Sequence, residues 1–261
     1  MIQTNKMKYN STSNITISII CAAYNCNNTI EDSIKSIIPH LSDKIEFIII
    51  DGNSNDGTID IIKKYESYLA YWVSEEDLGI YDAWNKGIKK ARGKYYSFVG
   101  LDDVLCENYS SEYIKALGEN PNIDFISSKM FINKYGKTTF GEKWEWNKFR
   151  KKMNIVHPGS LHNSNLFHKY GYFQSTFKIA GDYEFLLRVG SNLNSHFINK
   201  PTIIFSLNGI SNKNYLTLAR EVKRAKKINK SRNSFFINFE YFLRILIGFF
   251  SQFFKSLINN K

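Results

Sequence analysis

Cysteine is scarce in this chain: three in 261 residues, Cys21, Cys26 and Cys106. An odd count that fits no metal-ligand spacing points to a reducing compartment. His40, His162, His168 and His196 show no zinc spacing either. No glycine-rich Walker or dinucleotide fingerprint occurs, and no internal repeat, which removes the commonest nucleotide folds and the solenoids. The opening MIQTNKMKYNSTSN lacks an apolar stretch, so no secretion signal is expected. Acidic residues are few near the end. Residues 213–261 set 11 Lys/Arg against Glu221 and Glu240, which places +9 of the net +11 there. A nucleic-acid enzyme would spread such charge across its cleft, so no nucleic-acid partner is expected. A basic tail leading into an apolar run suits an anionic membrane surface.

What is present is a foldable body. Hydrophobic content of 43% and aromatic content of 15% exclude a disordered protein, and the length suits one α/β domain plus an extension. ITISIICAA (15–23) is β-branched and apolar throughout, a strand buried on both faces. Asn28-Thr29 opens a helix with an Ile30, Ile34, Ile37, Ile38 stripe, and Thr29 with Asp32 resembles a capping box. A strand over 46–50 runs into DGNSNDGT, which is turn chemistry, then a helix over 58–68 and a strand near 71–73. The alternation predicts a doubly wound, mostly parallel sheet flanked by helices.

The organising stretch is 74–105, SEEDLGIYDAWNKGIKKARGKYYSFVGLDDVL. Ile80, Ala83, Trp84, Gly87, Ile88 and Ala91 form one face of a helix that Gly93 should stop. The buried strand 95–99 then carries Asp102 and Asp103 to its C-terminal end, where open α/β sheets bind ligands. Adjacent carboxylates there are costly unless a cation sits between them and an anion, which suggests a metal-bound diphosphate. The pair could otherwise cap the helix expected over 109–117. Further on come a strand over 123–127, a hairpin turning at 135–137, a loop over 141–155 and a helix opening near Asp182. A strand over 198–207 and a basic helix over 216–230 complete the expected elements. In FFINFEYFLRILIGFFSQFFKSLI (235–258), Glu240, Arg244 and Lys255 interrupt a spanning helix, which leaves an in-plane interfacial helix or one packed on the domain.

In order, ISIICAAYN, IIIDGNSNDGT, EEDLGIYDAWNKGI, the strand ending in Asp-Asp, His-Pro-Gly-Ser and AGDYEFLLR resemble the inverting family-2 glycosyltransferases of the GT-A fold, over roughly residues 15–207. The resemblance implies sugar transfer from a nucleotide diphosphate, by default a UDP-sugar, to an acceptor hydroxyl. It implies a Rossmann-like sheet, with hexosyl or N-acetylhexosaminyl transfer and Mg²⁺ or Mn²⁺ as cofactor. It places the donor on Ala23, Tyr24, Asn25, Asp51, Gly52, Asn53, Asp77, Gly79, Tyr81, Asp82, Asn85 and Lys86. It puts the metal on Asp102 and Asp103, the catalytic base at Asp182, and a phosphate or acceptor contact at His157. On the residues alone Asp182 reads as a helix cap and His157 as a loop residue. Two positions depart from the family pattern: Gly100 stands where a further carboxylate is common, and Gly181 precedes the base in place of Glu or Ala.

The expected organisation is a disordered lead-in (1–14), a GT-A domain (15–212) and a basic, aromatic helical extension (213–261) on the inner face of the cell membrane. The acceptor would be lipid-linked or an oligosaccharide, and an oligomer is compatible with the chain. Two alternatives compete: a polyprenyl-phosphate sugar synthase, and a nucleotide-sugar-binding scaffold without activity.

Overall fold

A computed structural model of the chain describes residues 14–132, 138–206 and 214–259. The expected lead-in, apart from Asn14, and the 135–137 turn lie outside the described residues. The first half alternates β1 (Ile17–Ala23), α1 (Ile30–Ile37), β2 (Ile45–Asp51), α2 (Thr58–Lys64), β3 (Tyr71–Ser74), α3 (Ile80–Ile88) and β4 (Tyr95–Gly100). The second half runs β5 (Val104–Leu105), α4 (Tyr109–Glu119), β6 (Phe125–Phe131), β7 (Thr139–Phe140), α5 (Trp146–Phe149), β8 (Leu161–Asn163), α6 (Ser164–Tyr170), α7 (Gly181–Val189) and β9 (Ser195–Ile204). Two helices follow, α8 (Tyr215–Ile228) and α9 (Ser234–Asn259).

The nine strands among the described residues join one sheet, in the order β3-β2-β1-β4-β8-β6-β9-β5, with β7 added beside β6. The β3, β2, β1 and β4 strands are mutually parallel, as right-handed βαβ crossovers require. The β8 strand runs against both β4 and β6, and the remaining order is mixed. Both faces are covered, which explains why the strands read as continuous apolar runs. Along β1, Ile17, Ile19, Cys21 and Ala23 face the core under α1, α2 and α4. Ile20 faces the second core with α3, α6, α7 and α8. At Gly87 a Cβ would come within 2.4 Å of Ile20 Cγ2, so α3 lies on the sheet as closely as glycine permits.

Two local expectations are corrected. Thr29 does flank α1, but its hydroxyl donates to Cys26 O and no side chain caps the helix. The α3 helix ends at Ile88 and not near Arg92, because Arg92 is drawn to Glu46 in β2. Glu46 is wholly buried and accepts from Arg92 N at 2.7 Å, Arg92 Nε at 2.8 Å and Ser18 Oγ at 2.6 Å. A buried carboxylate needs such partners, and satisfying it outweighs extending the helix over residues 89–92. Among the described residues no helix is long and apolar enough to cross a membrane.

Candidate active site

Register brings the expected donor segments to one sheet edge. Ser74 pairs with Asp51, Asp51 with Ala23, and Ala22 with Gly100, so four strand ends lie side by side. The loops after β1 and β2 are laced together. Gly52 N donates to Ala23 O, Asn25 N to Ser54 Oγ, and Asn55 N to Asn25 Oδ1. Asn25 and Asn53 hold left-handed φ values of 46° and 64°, which asparagine tolerates better than most residues. The Asp51 carboxylate is buried and accepts from Ser54 N, Ser54 Oγ and Ser74 Oγ at 2.5–2.9 Å. Tyr24 stays 67% exposed. A Cβ on Gly52 would lie 2.5 Å from Asp77 Oδ2 and 3.3 Å from the Tyr24 ring, so glycine there lets both side chains close over the loop.

The acidic loop before α3 is folded by its own carboxylates. Asp77 Oδ1 accepts from Gly79 N at 2.7 Å, and Asp82 Oδ2 from Leu78 N at 3.1 Å. Gly79 has φ 119°, which suits glycine. Lys86 balances the charge: it pairs with Glu75 at 2.9 Å and Asp82 at 3.8 Å, and donates to Glu76 O. Asn85 and Tyr81 turn the other way. Asn85 exchanges two hydrogen bonds with the Phe173 backbone, while Tyr81 Oη donates to Ile179 O at 2.7 Å and to Asp182 Oδ1 at 3.2 Å. Lys178 Nζ returns a bond to Leu78 O. The α3 helix therefore joins the acidic loop that precedes it to the turn before α7.

Asp102 and Asp103 sit in the turn between β4 and β5 and do not cap α4, whose N-cap is Asn108. A Cβ on Gly100 would lie 2.7 Å from Asp102 Oδ1 and 3.0 Å from Asp103 Oδ2, so both carboxylates converge over its bare Cα. Burial, with the Asp102 charge beside it, pushes Asp103 up to about 8, against a hydrogen bond from Ser206 N at 2.9 Å. Two converging oxygen donors fit Mg²⁺ or Mn²⁺ and not a soft metal. Among the described residues no group of three or more His, Cys, Asp or Glu side chains is set to hold a metal ion.

Asp182 lies in the first turn of α7 with 20% of its side chain exposed. It does not cap the helix. Its Oδ1 accepts from Tyr183 N at 2.8 Å and from Tyr81 Oη, and burial raises its carboxyl to about 6. A Cβ on Gly181 would sit 2.8–2.9 Å from three atoms of the Tyr81 ring, so the glycine before Asp182 makes room for the tyrosine that binds it. His157 is 2% exposed. Its ring stacks on Phe98 of β4 and on Trp84 of α3, and its Nδ1 lies 3.9 Å from Asp182 Oδ2. Burial lowers it to about 3, so the imidazole is neutral, and what it faces is the Asp182 carboxylate. Arg188 pairs with Glu184 and donates to Tyr170 O and Tyr172 O.

Sequence reasoning missed Glu221. It is buried and accepts the backbone N–H groups of Lys178, Ile179 and Ala180. A single acid in an otherwise basic helical run was the available signal.

Comparison with known proteins follows the same segments. Residues 18–180 match the model of "Glycosyl transferase family 2". The chain belongs to this family. A PGL/p-HBAD biosynthesis glycosyltransferase of Mycobacterium bovis is 27% identical over 181 residues, covering 67% of this chain and 70% of the relative. The fold is GT-A, shared with Staphylococcus aureus TarS 1–349 in complex with UDP-GlcNAc (TM-score 0.65, 18% identity, 81% of this chain and 66% of that one). It is likewise shared with the mannosyltransferase PcManGT of Pyrobaculum calidifontis in complex with GDP-Man and Mn²⁺ (TM-score 0.64, 16% identity, 85% and 66%). The family-2 member described here is thus a glycosyltransferase by family and GT-A by fold.

Proposed function

We propose that this glycosyltransferase is inverting and metal-dependent, moving a hexosyl or N-acetylhexosaminyl group from a UDP-sugar to a hydroxyl of a lipid-linked or surface-glycan acceptor. The observation that carries the reading is the Asp182 carboxylate, raised to about 6 by burial and held by Tyr81 from the same helix that closes the donor-side loop. A base that stands ionised at neutral pH yet near it can take the acceptor's proton as the hydroxyl attacks. One displacement inverts the anomeric carbon and needs no second nucleophilic carboxylate. His157, neutral and buried behind Asp182, acts on the acceptor through that carboxylate.

The donor would lie across the four strand ends. Exposed Tyr24 supplies a ring face for the base, while Asp51 holds the loop Gly52-Asn53 in shape. Asp77, Gly79, Asp82 and Lys86 shape the loop over the diphosphate. Asp102 and Asp103 would hold Mg²⁺ or Mn²⁺, with donor phosphates and water taking the remaining places; the bound ion would offset charge on the departing diphosphate. The UDP-GlcNAc and GDP-Man complexes of fold relatives support a nucleotide-sugar donor.

The acceptor is met at the inner face of the cell membrane in this reading. The α9 helix exposes Phe235, Phe239, Phe242, Leu246 and Ile247 at helical spacing, in a segment whose sequence is strongly basic. That pattern suits an interfacial helix on anionic lipid. The test is nucleotide release from UDP-GlcNAc and other sugar nucleotides, with Mn²⁺ and with chelator. Release that is unchanged in Asp182→Asn would refute the base, and a sugar-phosphate product would replace this reading with a polyprenyl-phosphate synthase.

A further inference from the structure

The turn that ends in Asp182 is built from outside. A helix N-terminus leaves backbone N–H groups without partners, and an acidic side chain usually meets them from within the first turn. Here three successive N–H groups, those of Lys178, Ile179 and Ala180, donate to one carboxylate on a different helix. Glu221 Oε1 accepts from Lys178 at 2.7 Å, and Oε2 from Ile179 and Ala180 at 2.8 and 2.9 Å. Hydrogen bonds to an ionised acceptor are the stronger kind, and Glu221 is 8% exposed, so water competes poorly for it. One turn further along α8, Arg224 donates to Thr176 O and Oγ1 and lies 4.5 Å over the Phe177 ring. Thus α8 grips 176–180 from one side. Tyr81 Oη on Ile179 O and Lys178 Nζ on Leu78 O grip it from the other.

The arrangement has a chemical result. The N-cap residue of α7, Ala180, has no polar side chain to cap the helix. Glu221 places a negative charge at the turn leading into the helix, which the helix end favours, while Asp182 itself takes only the first-turn N–H of Tyr183. Its Oδ1 is steadied by Tyr81 and Tyr183, and its Oδ2 looks toward His157.

We propose that Glu221 is a positioning residue for Asp182: by capping the turn 178–180 it fixes the backbone that aims the carboxylate. The proposal rests on reading Asp182 as the catalytic base, and it makes α8 part of the catalytic unit. The first half of the C-terminal extension is therefore not a detachable tether. Val222 and Ala225 of the same helix are buried in the core that contains Tyr81, which agrees with this.

The full chain, wild type and Glu221→Gln, is compared by amide hydrogen exchange and by UDP release from UDP-GlcNAc with Mn²⁺. The wild type is expected to protect the amides of 178–180, and the variant to exchange them at least about tenfold faster, since a neutral amide oxygen cannot serve three donors. The kcat is expected to fall about tenfold, while KM for the donor and the affinity for UDP stay within about twofold. Arg224→Ala, which leaves the carboxylate in place, should loosen 176–177 and lower kcat less; it substitutes if Glu221→Gln does not fold. Unprotected 178–180 amides in the wild type overturn the proposal. So does a variant kcat within about twofold of wild type, or an equal loss of UDP affinity and kcat. A wild type that releases no nucleoside diphosphate from any sugar nucleotide overturns the enzyme reading and this proposal with it. Wild-type turnover that Glu221→Gln and Arg224→Ala both leave intact overturns this proposal alone.

Discussion

Tyr81 Oη donates to Asp182 Oδ1 at 3.2 Å across 101 positions of sequence, so α3 and α7 meet at a single hydroxyl. That hydroxyl also holds Ile179 O. Tyr81→Phe removes both bonds and strands a carbonyl, at a cost of about 1–3 kcal/mol in stability. Because the tyrosine's hydrogen bond lowers the Asp182 carboxyl, its loss moves the acid limb of kcat to higher pH. A pH–rate profile of the variant against wild type checks this.

Asp182→Asn should lower kcat by about 10²–10⁴-fold and leave UDP affinity unchanged. In the wild type, activity should fall as pH drops through about 6, where the base takes up its proton. The stability sign is opposite. A carboxyl raised from 3.8 to about 6 favours the fold when protonated, so its contribution is complete below 3.8 and lost as pH rises through 6. Asparagine needs no ionisation there, and the melting temperature at pH 7.5 should rise in the variant while activity disappears.

Gly181→Ala places a methyl against the Tyr81 ring, which is anchored at its hydroxyl and cannot retreat. Overpacking of this kind costs about 1–3 kcal/mol. Since the strain acts through the Tyr81 ring, Gly181→Ala and Tyr81→Phe should be non-additive in kcat. A double-mutant cycle with a coupling of at least about 0.5 kcal/mol checks it.

Mn²⁺ should raise the melting temperature of the wild type, more so with UDP present, through mass action on the folded state. Asp102→Ala should abolish that rise. Thermal shift with Mn²⁺ and with chelator measures it without any turnover.

Phe239→Asp with Phe242→Asp, on the exposed face of α9, should weaken binding to vesicles containing phosphatidylglycerol by more than about tenfold. Release of UDP in detergent-free buffer should be unaffected. Co-sedimentation reads the first and a coupled nucleotide assay the second.

Much of the frame was legible because its cause is local. An apolar run such as IIID or SFVG has few other fates than a buried strand, and the turn chemistry after Asp51 marks where it ends. Asp102, Asp103 and Asp182 stand as candidates because their order and spacing are visible in the sequence itself. What stayed hidden depends on partners far along the chain. Helix α3 gives up residues near Arg92 for a carboxylate 46 positions earlier, and the turn before Asp182 is capped from 41–43 positions later. The glycines at 100 and 181 read as losses against the family pattern. In space Gly100 leaves room for the Asp102 and Asp103 carboxylates, and Gly181 for the Tyr81 ring. Strands of two or three residues, β5 and β8, carry too little pattern to be seen.

The short β8 has a mechanical meaning. It meets β4 through three residue pairs and β6 through two, whereas β1 joins β2 through seven. The sheet thus carries a narrow seam between the half that ends in the paired aspartates and the half beyond it. Few backbone bonds cross at that seam, so side-chain links such as Ser206 N to Asp103 Oδ1 carry part of the connection between the two halves, while the long parallel ladders hold by their own backbone bonds.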